Sequence, residues 1–308
     1  MSAQELESVI TMLRTSAPDL GAPPPQAREN FEAMLAGIPL AEDVVFETAT
    51  VGGVPARWAT APGVSREKVV LYLHGGGYLI GSSFGYRPLF SALARAAGAR
   101  GLALDYRLAP ESPFPAAVDD AVSGYRGLLD LGIEPGAIAI AGDSAGGGLT
   151  VAMLVAARDA GLPMPAAAVA ISPWADMECS GASMSSKAAV DPTLIREGLV
   201  GLGSVYLNGA SPRSALASPI YANLAGLPPL LIQVGSAEIL LDDATRLAAA
   251  AGAADVEVQL EICARMPHVW HLFAFALSEA REAINRVGAF AAAQFQKQHS
   301  QKHREISA

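Results

Sequence analysis

The chain predicts an α/β fold, a mostly parallel sheet flanked by helices. Three observations carry that reading. From about residue 44 to the end, short apolar runs of strand length alternate with longer runs of helical length, the pattern of parallel strands joined by helical crossovers. Residues 137–141, an apolar strand run, pass through Gly142-Asp143-Ser144-Ala145-Gly146 straight into a helical run over 147–158. Although 51% of the 308 residues are hydrophobic, much of this is scattered alanine, and no run approaches the roughly 18 uninterrupted apolar residues of a spanning helix.

The elements follow in chain order. Residues 1–16 read as a helix, with Ser2-Ala3-Gln4-Glu5 as its capping box. Ala22-Pro23-Pro24-Pro25 separates it from a second helix over 28–35, and both lie outside the alternation. Residues 68–73 form a buried strand, 102–104 end the next, and 137–141 and 167–171 supply two more. After Trp174 the alternation breaks: 177–186 is loop-like and 191–207 is helical. It resumes with a strand over 230–234, a helix starting at Asp242 and Asp243, and an alternating strand over 256–262. A long Ala-rich helix then spans 272–295, and a polar tail, 296–304, reads as frayed. No internal repeat is apparent.

Chemistry concentrates in the loops after the strands. Gly142 to Gly146 fits G-x-S-x-G in the strand–turn–helix setting that motif requires. Two flanking glycines let strand and helix approach so closely that Ser144 is forced into a strained turn with its hydroxyl at the tip. The N–H of Ala145, opening the helix, is placed for a developing oxyanion. Upstream, His74-Gly75-Gly76-Gly77-Tyr78 follows a strand at once, and the unshielded N–H groups of Gly76 and Gly77 are candidates for the other half of an oxyanion hole. His74 is expected to hydrogen-bond that loop into shape.

A serine of this kind needs a base further along the chain. Of five histidines, His74 precedes Ser144, and His299 and His303 lie in the polar tail. That leaves His268 and His271. His268 lies in the loop leaving a strand's carboxyl end, where open α/β sheets place their sites, and Pro267 sets the approach of the chain. His271 falls in the first helical turns, where packing or a surface hydrogen bond is its expected fate. The orienting acid has three groups of candidates. Glu238 sits just past the strand over 230–234, Asp242 and Asp243 fit a helix start as caps, and Asp176 follows the preceding strand.

These residues carry a resemblance. Over about residues 40–295 the chain resembles the bacterial branch of the hormone-sensitive-lipase family of α/β-hydrolase carboxylesterases. Its marks are H-G-G-G-Y at 74–78, D-Y-R-L-A-P-E at 105–111 with P-F-P-A-A at 113–117, G-D-S-A-G-G at 142–147, S-P-W-A-D at 172–176 and H-V-W-H at 268–271. The resemblance implies an α/β-hydrolase fold with an eight-stranded, mostly parallel sheet. It implies a helical cap from 1–43 and 177–210 over a catalytic domain of 44–176 and 211–308. It also implies Ser144 as nucleophile, His268 as base and an oxyanion hole from Gly76, Gly77 and Ala145. Many members carry D-P-L-x-D for the acid; here Glu238-Ile239-Leu240-Leu241-Asp242 stands in its place, so the role passes to Glu238. Asp105, Arg107 and Glu111 are expected to pair with one another and brace the oxyanion loop. Leu202, Val205 and Leu207 either line the pocket or pack on the body.

The expected activity is a serine carboxylesterase acting on short-chain acyl esters through an acyl-enzyme, with no cofactor and no metal. Two other classes use the same frame: another serine acyl hydrolase (amidase, peptidase or thioesterase), and a non-catalytic ligand receptor, against which the pairing of His268 with Ser144 argues. A net charge of −9 with no basic cluster outside the tail makes nucleic acid an unexpected partner. Glu5 and Glu7 near the start, with no basic region before an apolar stretch, argue against a secretory leader, and the expected partner set includes no membrane. Cys179 and Cys263 fit no metal spacing and read as free thiols in a reducing, cytoplasmic compartment. The last strand, 256–262, is expected at an open sheet edge, where a second copy pairs to give a homodimer unless the C-terminal helix covers it.

Overall fold

The computed structural model describes residues 3–16 and 22–306. Two helices come first, α1 (Ala3–Ser16) and α2 (Pro24–Ala36). The sheet strands are β1 (Val45–Val51), β2 (Val54–Thr60), β3 (Ser65–Leu73), β4 (Ala99–Leu104), β5 (Ile138–Asp143), β6 (Ala167–Ile171), β7 (Leu230–Gly235) and β8 (Val258–Cys263). Interleaved are α3 (Arg87–Ala96), α4 (Ala116–Asp130), α5 (Ala145–Asp159), a short α6 (Ser183–Ser186), α7 (Arg196–Leu207), α8 (Leu241–Ala253) and the long α9 (Ser278–Ile306).

The eight strands form one sheet in the order β1-β2-β4-β3-β5-β6-β7-β8. Only β2 runs against its neighbours; β4, β3, β5, β6, β7 and β8 are parallel. Helices α3 and α9 pack against each other on one face, and α4 against α5 on the other. That double cover explains why β5, β6 and β7 are buried along their whole lengths and why their sequences are apolar or small apart from Asp143 and Gln233. The connection after β3 leads to β4 on one side, and the connection after its other neighbour β5 leads to β6 on the opposite side. The carboxyl ends of β3 and β5 therefore flank the point where strand order reverses, the place where open sheets leave a crevice.

Several sequence expectations are revised by tertiary packing. The stretch 191–207 is helical only from Arg196, because the Asp191 carboxylate accepts from the N–H groups of Thr193 and Leu194 and closes a turn instead. The loop over 177–186 contains the short α6. The helix expected over 272–295 starts at Ser278, after a separate 3₁₀ turn, Trp270–Phe273, and α9 continues through residues 296–304 rather than fraying. Ser2 of the expected capping box lies outside the described residues. Its partner Glu5 accepts from the N–H and Oγ of Ser278, at 3.1 and 2.6 Å. This ties α1 to the start of α9. Leu6, Val9 and Leu13 of α1 form a second small core with Met266, Trp270, Phe273 and Leu277.

β8 is an edge strand, as expected, with its outer face half-exposed. Among the described residues no helix is long and apolar enough to cross a membrane.

The contact between α9 and α3 is testable at Gly288. A Cβ built there lies 2.4–2.5 Å from the backbone and side chain of Ala96 at the end of α3. Gly288→Ala gains up to about 1 kcal/mol of helix propensity but overpacks this crossing, which costs about 1–3 kcal/mol. A net loss of stability in urea unfolding is the expected outcome; a more stable variant would show that the helices separate freely.

Candidate active site

Ser144 sits between β5 and α5 with φ 54° and ψ −121°, a conformation that L-residues adopt only when their surroundings hold them. The sequence makes this turn by removing side chains around it. A Cβ on Gly142 would lie 2.2 Å from the Gly146 carbonyl oxygen, and one on Gly146 would lie 2.0 Å from that of Leu73 in β3. The Ser144 N–H donates to Ile171 O (2.8 Å) and its carbonyl accepts from Trp174 N (2.9 Å), so the end of β6 and the segment after it grip the Ser144 peptide on both sides. Ala145 begins α5, and the first N–H groups of a helix have no acceptor inside it.

The loop after β3 is shaped by the residue beside Ser144. Asp143 is fully buried and accepts from Tyr72 OH (2.6 Å), Gly75 N (2.8 Å) and Tyr86 OH (3.0 Å). Burial pushes its carboxyl up to about 6, against those hydrogen bonds. Gly76 and Gly77 have φ of +113° and +61°, and a Cβ on Gly76 would lie 2.3 Å from Ile80 O. His74 is buried, donates Nδ1–H to Gly75 O (2.7 Å) and stacks on Tyr106, whose hydroxyl donates to His74 O (2.6 Å). The structural role expected for His74 is the one it has. Asp105, Arg107 and Glu111 do not pair with one another: each finds a nearer partner. Asp105 accepts from the N–H and Oγ of Ser83, Arg107 pairs with Asp120 (2.7 Å) and Glu111 with Arg28 (2.6 Å). Asp105 thus acts directly on the loop that follows the glycines, and Glu111 acts on it through Arg28, whose Nε–H donates to Leu79 O (2.9 Å).

His268 meets Glu238. Its Nδ1 lies 2.7 Å from Glu238 Oε2; the imidazole is 10% exposed and the carboxylate fully buried. Glu238 Oε1 accepts from Gly235 N (2.6 Å) and Ser172 Oγ (2.8 Å). Burial works to lower the proton affinity of His268, but the Glu238 hydrogen bond and charge, with Asp191 and Asp143 behind them, raise it above its ordinary value. With Nδ1–H donated to the carboxylate, a neutral His268 keeps its lone pair on Nε2.

The rival candidates are occupied elsewhere. His271 is buried and donates Nε2–H to Gln233 Oε1 (2.7 Å); Gln233 must present that oxygen because its amide nitrogen donates to Glu261 (2.7 Å). Burial, helped by Arg286, pushes His271 down to about 3 and keeps it neutral. Asp176 pairs with Arg246 (2.7 Å). Asp242 and Asp243 lie in the first turn of α8 but do not cap it in the expected way. Asp242 accepts from Ser183 N (2.9 Å), and Asp243 from the N–H groups of Ala175 and Asp176 (both 2.9 Å), so they hold the 175–183 segment.

Ser144, His268, Gly76 and Gly77 line one cavity of about 400 Å³. Its walls are mostly apolar and come from α1 (Met12, Leu13), α2 (Phe31, Met34) and the 193–202 stretch. Leu202 lines it, Leu207 is buried in the main core, and Val205 is exposed. The sequence placed α1 within the expected cap without naming its lining residues, and it did not single out Ser172 and Asp191 as partners of the acid loop. Its place at the head of the S-P-W-A-D motif was the only signal for Ser172. Among the described residues no cluster of three or more His, Cys, Asp or Glu could hold a metal ion, and Cys179 and Cys263 are free.

Comparison with known proteins gives a consistent result. Residues 70–272 match the family model for the alpha/beta hydrolase fold. An acetyl-hydrolase of Streptomyces hygroscopicus is 52% identical over 244 residues, covering 79% of this chain and 81% of the relative. The carboxylesterase NlhH of Mycobacterium tuberculosis is 34% identical over 265 residues, covering 80% and 82%. Among solved structures, an esterase from the bacterial hormone-sensitive lipase family superposes with TM-score 0.93 at 50% identity, covering 96% of this chain and 99% of that one. A hormone-sensitive lipase from a metagenome library gives TM-score 0.90 at 40% identity, covering 94% and 98%.

Two measurements test this geometry without any substrate. Gly146→Ala forces a methyl against Leu73 O and should cost about 1–3 kcal/mol or more in urea unfolding; wild-type stability would mean that β3 and α5 do not meet this closely. In an NMR titration, Glu238→Gln should lower the His268 pKa, since burial then acts with less opposition, while Asp176→Asn leaves it in place. The reverse pattern would reassign the acid.

Proposed function

Because the chain belongs to the α/β-hydrolase family, in its bacterial hormone-sensitive-lipase branch, we propose that Ser144, His268 and Glu238 are its catalytic nucleophile, base and acid. The protein is a carboxylic ester hydrolase of the serine type. The observation that carries the assignment is one cavity holding the elbow serine, an imidazole fixed by a buried carboxylate, and the two glycines.

In this reading His268 Nε2 takes the Ser144 proton as Oγ attacks the ester carbonyl. The N–H groups of Gly76, Gly77 and Ala145 stabilise the oxyanion. The protonated His268 returns its proton to the leaving alcohol, and water admitted on the same side repeats the cycle on the acyl-enzyme. Glu238 holds the tautomer and balances the imidazolium charge. The cap, residues 1–43 and 177–210, closes over the catalytic domain of 44–176 and 211–308 and limits the acyl chain. Substrates are small-molecule esters with short acyl groups, in keeping with a finite, apolar cavity of about 400 Å³ and with the acetyl-hydrolase relative. The protein works in the cytoplasm as a homodimer joined through the open edge of β8, a proposal that light scattering at micromolar concentration tests directly; a monomeric mass removes it.

Ser144→Ala should keep the fold and lose on the order of 10⁶ in kcat, and a fluorophosphonate should label Ser144 of the wild type by mass spectrometry. Labelling of another serine would overturn the assignment. On p-nitrophenyl esters, rates should fall steeply beyond roughly eight acyl carbons, whereas amides and thioesters of the same acyl group should react far more slowly. The acid limb of kcat/KM should lie above pH 6.5, with activity falling as the pH drops through it, because a protonated Nε2 accepts nothing from Ser144. A limb well below 6.5 would show that Glu238 does not hold the imidazole in solution.

A further inference from the structure

Ser172 is the residue after β6, and it takes no part in the reaction as described. Its backbone is left-handed, φ +43°, although it is not glycine, and it is fully buried. Its N–H donates to Gln233 O in β7 (2.7 Å). The residues around it hold the nucleophile's peptide: Ile171 O accepts from Ser144 N, and Trp174 N donates to Ser144 O. Its hydroxyl reaches the other two members of the site. Oγ lies 2.8 Å from Glu238 Oε1 and 3.2 Å from the N–H of Val269, the residue after His268. Val269 is also left-handed, φ +49°.

The direction of these bonds is forced. A backbone N–H only donates, so Oγ accepts from Val269; an ionised carboxylate only accepts, so the Ser172 proton points to Glu238. Two donors, Ser172 O–H and Gly235 N–H, thus saturate Oε1 and turn the carboxylate so that Oε2 faces His268 Nδ1. The same oxygen anchors the chain immediately beyond His268. A glycine would relieve the left-handed backbone and leave both loops without this bridge. We propose that Ser172 is a positioning residue for ester hydrolysis, joining the acid loop to the base loop and setting the orientation of Glu238. The inference rests on the assignment of Ser144, His268 and Glu238 made above.

The test is a double-mutant cycle on the full chain, with kcat, KM and the pH profile on one p-nitrophenyl ester and Tm for every variant. Ser172→Ala and Ser172→Gly should each lower kcat about ten- to a hundred-fold, the loss expected for the outer hydrogen-bond partner of a catalytic group, with KM unchanged. The glycine variant, freed of strain, guards against a loss that merely reflects misfolding; its Tm should match or exceed that of Ser172→Ala. The acid limb should move to higher pH, since a carboxylate with one fewer donor stabilises the imidazolium more strongly. In a Glu238→Gln background, Ser172→Ala should cost less than about two-fold, because a residue acting through Glu238 has nothing left to act through. Wild-type kcat and pH profile in both serine variants, or an undiminished cost in the Glu238→Gln background, overturns the inference. Should Glu238→Gln itself retain wild-type kcat, the acid assignment fails instead, and the two failures are told apart by that one variant.

Discussion

The candidate site depends on the backbone of Ser144, held left-handed by two hydrogen bonds to the end of β6 and the segment after it. That grip is available only because β3, β5 and the start of α5 approach to the point where no Cβ fits on Gly142 or Gly146. The close approach places the loop after β3 beside the serine, and the β6–β7–β8 side of the sheet then delivers acid and base at the same edge. Loosening any of these contacts moves several groups of the site together, since each loop is bonded to its neighbour.

Electrostatics at the site is a matter of how each buried carboxylate is compensated. Asp143 is buried beneath the glycine loop with three neutral donors and still holds its proton up to about 6. Glu238 has two neutral donors and an imidazole, and the imidazole gains proton affinity from it against the effect of burial. Asp176 has a guanidinium, and its carboxyl is held below the ordinary range even though burial pushes the other way. Three carboxylates within the loops at one end of the sheet therefore do different work. One shapes the glycine loop, one fixes the His268 imidazole and one pins the segment leading to α6.

Much of this was legible from local pattern. The strands over 68–73, 137–141, 167–171 and 230–234 were visible because a strand covered on both faces is predominantly apolar, with only Lys68 and Gln233 departing from that here. The serine, the glycines and His268 were visible because their motifs state their own local geometry. Partner choice was not. Asp105, Arg107 and Glu111 are close in sequence and of complementary charge, yet they pair with Ser83, Asp120 and Arg28, which only the folded chain brings near. Asp242 and Asp243 have the positions of helix caps, but two backbone N–H groups of another loop and one of α6 compete for them and win. The break in the helix at 191–195 has the same origin, since Asp191 is spent on the turn and on Ile239 N (2.8 Å).

The sequence alone determined the fold class, the G-x-S-x-G turn and the glycine loop, and it put His268 rather than His271 in a loop leaving a strand's carboxyl end, because these follow from period, spacing and local motif geometry within a few residues. Tertiary structure decided the hydrogen-bond partners of the charged groups, the bridge through Ser172 and which residues of α1 line the cavity. Those depend on distances between loops far apart in the chain, and an ionisable group buried on folding takes whichever donors the packed core leaves within about 3 Å of it.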